Sequence, residues 1–265
     1  ATKASDGLGP LFNAKSCQRC HLKDGRGHPP KANWPEDNAV SMLLKLSIPA
    51  QSQQEQALLD SLLIPVIPEP NYGTQLQDFS IKGHKSEGNI QIKYEEVDVL
   101  LSDNELATLR KPNYNIVNLS YGPMHPETLI SARIAPPMIG LGLLEMITEV
   151  DILAQADPDD LNNDGISGRP AWSRNMSTQN LQLGRFGWKA GQPTLDQQNQ
   201  VAFNGDIGLS TPQQSAPSGD CTINQSTCLW APSGDSVQYE DREVGQIMTD
   251  LVLFYTQNLA VPARR

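Results

Sequence analysis

The sequence predicts a mainly α fold, interrupted by a small antiparallel β insertion and by long loops. Three observations predict it. The run Cys17-Gln-Arg-Cys-His21 is short enough to form a single helical turn near the start of the chain. Residues 241–259 place Val244, Ile247, Met248, Leu251, Phe254 and Tyr255 on or near one face of a helix. Between these ends, residues 77–82, 89–101 and 109–118 alternate in polarity, are rich in Ile, Val and Tyr, and are separated by Gly, Asn and Asp turns, as in a small sheet. One domain over residues 1–265 is expected. Its core would come from about residues 1–65 and 236–265, and its insertion from about 66–235.

The first helical turn carries the chemistry. Two thiols separated by two residues project from one turn and can add across the two vinyl groups of a single haem. The histidine after the second thiol then falls over the iron. Cys17 and Cys20 are therefore candidate attachment residues and His21 a candidate ligand of the haem iron. A zinc site would need a second closely spaced pair. The remaining cysteines, Cys221 and Cys228, have six residues between them. Upstream, Leu11-Phe12 is expected on a short helix against the haem, as in small cytochromes c, so the expected fold is cytochrome c-like. Downstream, a carbonyl of Pro29 or Pro30 is expected to accept the other ring N–H of His21, since a ligating imidazole needs a fixed acceptor. Gly25 and Gly27 permit the tight path this requires.

Residues 38–46 and 52–63 read as helices. The second sets Ala57, Leu58, Leu62 and Leu63 against a Gln/Glu-rich face, and Pro65, Pro68 and Pro70 end it. After the alternating segments, a Pro-rich approach leads to a helix over about residues 139–148. A polar stretch then runs to about residue 235, too long to be structureless in a compact domain unless it is functional or folded around something. The terminal helix is expected to cross the first one, as in a cytochrome c core. There is no internal repeat and no second Cys-x-x-Cys-His motif.

Lys and Arg number 20 against 30 Asp and Glu, a net charge of -10. This opposes binding to nucleic acid or an anionic membrane and favours a basic partner, such as a small basic cytochrome. No apolar run is long enough for a membrane span; the longest, near residues 62–67, contains Pro65. The chain opens on Ala1, as a processed export product would. Covalent haem attachment and a disulfide imply an oxidising compartment, in a bacterium the periplasm. Cys221 and Cys228 read as a local disulfide hairpin rather than a redox-active dithiol, which wants closer spacing.

In the stretch from Asp157 to Gly168, Asp160, Asn162 and Asp164 alternate as the first, third and fifth positions of a calcium loop. Gly165 follows, and Ile166 offers its carbonyl. Ala171 stands at the twelfth position, so Asp157, Asp159 or a more distant residue would complete the coordination. The alternative is an Asx-rich turn without metal. On the far side of the iron, a second strong ligand would make an electron-transfer haem, and an open site would allow peroxide to bind. Met124, His125, Met138, His84 and His28 are the candidates, with Met138 and His125 in the contexts best suited to a ligand loop. Glu145 is a carboxylate on the apolar segment Gly140–Met146, a position that suits acid–base chemistry.

Five segments resemble the bacterial di-haem oxidoreductases, a family assigned as peroxidases and sometimes as thiol oxidoreductases. They are Gly7–His21, Arg133–Glu145, Asp157–Arg169, Gly184–Ala190 and Leu259–Arg265, in order over nearly the whole chain. The family is distantly similar to di-haem cytochrome c peroxidases and to the maturation enzyme of methylamine dehydrogenase. The resemblance implies a second haem domain of the same protein, following residue 265, so that this chain supplies the first. It also implies that Arg133-Ile-Ala-Pro136 leads to a distal acid, Glu145, and that Trp188 relays electrons between haems. The expected function is that of a periplasmic, peroxidase-like c-type haem oxidoreductase passing electrons through one covalently bound haem. The alternative is a non-catalytic electron-transfer domain with a closed, six-coordinate iron.

Overall fold

The structure, a computed structural model, describes residues 7–33, 35–37 and 41–263. In chain order its elements are β1 (Leu11–Phe12), α1 (Cys17–Cys20), β2 (Met42–Ser47), α2 (Gln53–Asp60), β3 (Phe79–Ser80), β4 (Asn89–Leu100), β5 (Leu106–Val117) and β6 (Leu129–Ile134). Then follow α3 (Leu141–Met146), α4 (Glu149–Leu153), β7 (Trp172–Arg174), β8 (Leu181–Leu183), α5 (Leu195–Ala202), α6 (Ser226–Leu229) and α7 (Gln246–Gln257). A π turn over Phe203–Ile207 continues α5. Helix and strand each take 23% of the described residues, which overturns the mainly α expectation. The strands pair as four antiparallel two-stranded ribbons, β1–β3, β2–β6, β4–β5 and β7–β8.

The largest local correction is β2. Residues 38–46 were expected to be helical; residues 38–40 lie outside the described residues, and 42–47 form a strand. Met42, Leu44 and Leu46 are buried while Leu43, Lys45 and Ser47 are half-buried. Burial at every second residue is the signature of a strand, and the pairing of β2 with β6, Met42 opposite Ile134 through Ser47 opposite Leu129, fixes it. Its buried face meets Tyr72, Leu76 and Ile92 in the main apolar cluster, against which the base of the β4–β5 hairpin also packs. Met124 packs against this cluster, the structural role that competed with its candidacy as an iron ligand.

The α2 helix forms as expected but ends at Asp60. The Ser52 hydroxyl accepts from the Glu55 N–H at 3.1 Å, and the Glu55 carboxylate accepts from the Gln51 N–H at 2.6 Å, a reciprocal cap. Leu11 and Phe12 are strand rather than helix. They pair with Ser80 and Phe79, and the rings of Phe12 and Phe79 stack at 5.9 Å. The terminal helix packs on α5 and α3 instead of crossing a helix at the start of the chain. Gly142 of α3 permits this approach, because a Cβ there would overlap the backbone of Gln257. The α7 helix reaches the motif segment through Tyr255, whose hydroxyl donates to the Asp24 carboxylate at 2.7 Å. Cys221 and Cys228 are joined in a disulfide, with Cα atoms 6.1 Å apart, in the segment that ends in α6. Among the described residues, no helix is long and apolar enough to cross a membrane.

Candidate haem-binding site

The α1 turn is a single helical turn closed by the His21 N–H, which donates to the Cys17 carbonyl at 2.9 Å. At His21 the backbone leaves the helix, with φ -105° and ψ 69°. The imidazole Nδ1 lies 2.7 Å from the carbonyl oxygen of Pro136, 115 residues further along the chain. A carbonyl can only accept, so Nδ1 carries the proton and donates. In the neutral imidazole Nε2 then keeps its lone pair. This corrects the expected acceptor: Pro29 instead lies 3.3 Å from the ring of His28. Three backbone bonds lay the segment after β6 along the motif. The Gly27 N–H donates to Ala135, the Ala135 N–H to Ser41 and the Met138 N–H to Asp24, each at 2.9 Å.

Cys17, Cys20 and His21 open onto one cleft of about 380 Å³. Its walls are largely apolar: Pro137, Met138, Ile139, Leu141 and Leu144 on one stretch of chain, and Phe186, Phe203, Ile207 and Val252 from elsewhere. A second cavity of about 240 Å³ adjoins it and shares Cys20, His21, Pro136, Phe186 and Asp206; Lys45, Arg133 and Trp188 complete part of its lining. Neither motif cysteine is in a disulfide. Burial pushes both thiols up, Cys20 to about 12, and the nearby Asp206 carboxylate adds to the rise. Both are therefore neutral thiols at neutral pH, unlike the thiolates that metal ligation or nucleophilic attack requires. Two neutral thiols and an imidazole with an available Nε2 on one apolar cleft fit a haem.

The other expected site residues separate. Met138 lines the cleft. His125 does not: its N–H donates to Glu69 at 2.7 Å, and its ring nitrogen accepts from the Glu127 N–H at 3.2 Å in a turn away from the cleft. Glu145 is also outside the lining. One carboxylate oxygen accepts from the Leu195 N–H at 3.0 Å, at the N-terminus of α5, and the other accepts from the Gln257 amide at 2.7 Å. Glu145, the expected distal acid, thereby ties α3 to α5 and α7. The carboxylate that does line the cleft is Asp206, on the π turn, hydrogen-bonded by the Gln75 amide at 2.9 Å. Sequence reading passed over it, and over Pro136 as acceptor, because nothing local marks a residue whose partner lies more than a hundred positions away. Arg185, within one of the segments that carry the resemblance, caps α3 by donating to the carbonyls of Leu144, Glu145 and Ile147.

The expected calcium loop closes on itself. Asp160 accepts from the N–H groups of Asp164 and Gly165, and Asp164 from that of Ile166, while the side-chain Oδ1 of Asn162 accepts from the Asp164 N–H. Gly165 takes φ 82°, as a tight oxygen-lined turn needs. Among the described residues no group of three or more His, Cys, Asp or Glu is placed to hold a metal ion.

An imidazole tethered at one nitrogen beside an apolar cleft suits a haem-dependent redox protein, and sequence comparison agrees with that class. Residues 1–265 match the family described as "Di-haem oxidoreductase, putative peroxidase", and the chain belongs to it. No curated protein and no solved structure matches the chain.

Proposed function

We propose that this chain is a periplasmic, peroxidase-like redox unit that holds one haem covalently through Cys17 and Cys20, with His21 as iron ligand. The observation that carries the reading is the hydrogen bond from His21 Nδ1 to Pro136, which fixes the tautomer that presents Nε2. Cys17 and Cys20 would hold the haem through two thioether bonds, each thiol giving its sulfur to one vinyl carbon and its hydrogen to the other, with no oxidant needed. The bound haem supplies a one-electron couple and an iron that can accept a further ligand. The chain's own residues do the rest. The apolar walls exclude water, Pro136 holds the imidazole in register, and Asp206 is placed to hold and hand on a proton within the cleft. The second haem implied by the family would lie in another domain of the same protein, fed by a basic redox partner. Calcium at Asp160, Asn162, Asp164 and the Ile166 carbonyl is a separable part of the reading, supported by the residue pattern. Metal analysis after dialysis against calcium tests it.

A second reading has its own observation. Met138 lines the cleft, so its sulfur is a candidate sixth ligand, and the unit would then transfer electrons without turnover. Protein matured in a host competent for cytochrome c decides both points. A haem-stained band at the chain mass on a denaturing gel, lost in Cys17→Ala/Cys20→Ala, is expected; its absence from wild type overturns covalent attachment. A high-spin ferric spectrum supports the peroxidase-like reading, and a low-spin spectrum that turns high-spin in Met138→Ala supports the alternative.

A further inference from the structure

The β2–β6 ribbon has two faces. Met42, Leu44 and Leu46 face the apolar cluster. On the other face, Ser41, Leu43 and Lys45, with Arg133 and Ala135 of the opposite chain segment, line the second cavity beside Cys20 and His21. Leu43 is paired with Arg133 and Lys45 with Ser131, so Lys45 and Arg133 are diagonal neighbours on one face. Among the described residues neither side chain makes an ion pair or hydrogen bond, and Arg133 Nε is buried without a partner. Burial lowers Lys45 and Arg133 alike; Arg133 lowers Lys45 further, against the opposing pull of Asp206 and Asp220. Lys189 adds a third cation to the lining. Asp206 is the one carboxylate among the lining residues, and Gln75 already bonds it.

Two like charges placed side by side out of bulk water destabilise a fold unless something neutralises them. A protein of net charge -10 has many carboxylates with which it could have paired them. It leaves them facing a cavity instead. We propose that Lys45 and Arg133 form a carboxylate-binding pair in the cavity beside His21. The inference rests on the haem reading for one of its two sources of carboxylate, the propionates of the haem itself. The other source is a free carboxylic acid entering the cavity. Arg133 offers a planar fork and Lys45 a point charge, a combination suited to one carboxylate group.

The test uses the matured protein as wild type, Lys45→Met, Arg133→Met and the charge-keeping Lys45→Arg and Arg133→Lys. Met keeps the aliphatic bulk of the replaced stems. Two measurements are made: the propionate bending band in resonance Raman spectra, and calorimetric titration with sodium acetate and sodium benzoate. A band that shifts in both Met variants and returns in the charge-keeping ones supports the pair and assigns it to the propionates. Acetate or benzoate binding that weakens at least tenfold in the Met variants, with the band unmoved, supports the pair and assigns it to a free acid. If the band stays unmoved in both Met variants and acetate and benzoate binding is also unchanged, the proposal is overturned. If wild type carries no haem, the proposed function fails on that result alone, and the titration still decides the pair.

Discussion

Glu87 is held in the interior by the Gln77 N–H and the Gln225 amide, each at 2.5 Å, yet burial raises its carboxyl to about 8. Asp78, bonded by the Asn13 amide at 2.8 Å, is raised to about 7 for the same reason. The folded chain therefore keeps two protons that the unfolded chain has released. Their contribution to stability is whole below the ordinary values of 4.5 and 3.8 and is lost as pH rises to about 8 and 7. Melting temperatures of Glu87→Gln between pH 4.5 and pH 8 should fall less than those of wild type at equal ionic strength. An unchanged slope would show that Glu87 ionises in place. In the cleft, Asp206→Asn should lower peroxide-dependent turnover by about 10²–10⁴, the usual loss of a proton-transfer group, while Glu145→Gln should cost less than about tenfold. The reverse order would return the acid role to Glu145. The candidacy of Cys17, Cys20 and His21 is legible because the pattern is written in five consecutive residues, and the structure brings all three to one cleft. Glu145 stands out as an acid on an apolar helix, and from sequence such an acid looks the same whether it faces a cleft or, as its bond to Leu195 shows here, the N-terminus of a neighbouring helix.

The elements that frame the cleft meet at close quarters. Where α3 crosses α7, Gly142 lies against the Gln257 backbone with no room for a side chain. Gly142→Ala should therefore destabilise by about 1–3 kcal/mol in urea titration, despite the better helix propensity of alanine, because backbone must move to admit the methyl group. A neutral or stabilising result would mean that the crossing is loose. The sequence made some elements legible and hid others, for physical reasons. The β4–β5 hairpin, α2 and α7 are long enough for their periodicity to show. In β2, leucines favour a helix by propensity, and only pairing with β6, more than eighty residues later, reveals that alternate burial governs. The strands β7 and β8 have three residues each, too few for any period to register.

At the scale of the whole molecule, the Cys221–Cys228 bond closes a loop with a separation of 7 residues. Its main effect is on the unfolded chain, and Cys221→Ser/Cys228→Ser should cost about 2–3 kcal/mol by chain-entropy reasoning. Calorimetry of the double variant checks this, and a stability equal to wild type would place the strain of the bond in the folded state. The tether between His21 and Pro136 acts at the same scale but on time. Synthesis delivers the motif first and the carbonyl that orients its imidazole 115 residues later. Contacts so far apart in sequence form late, after the loop between them has been closed. Under the proposed reading, a chain still open could already be stapled to its cofactor by two thioether bonds while the imidazole swings without a fixed tautomer. Alignment of the ligand would then be a checkpoint on assembly: an iron held by His21 would gain its working environment only once β6 has docked on β2.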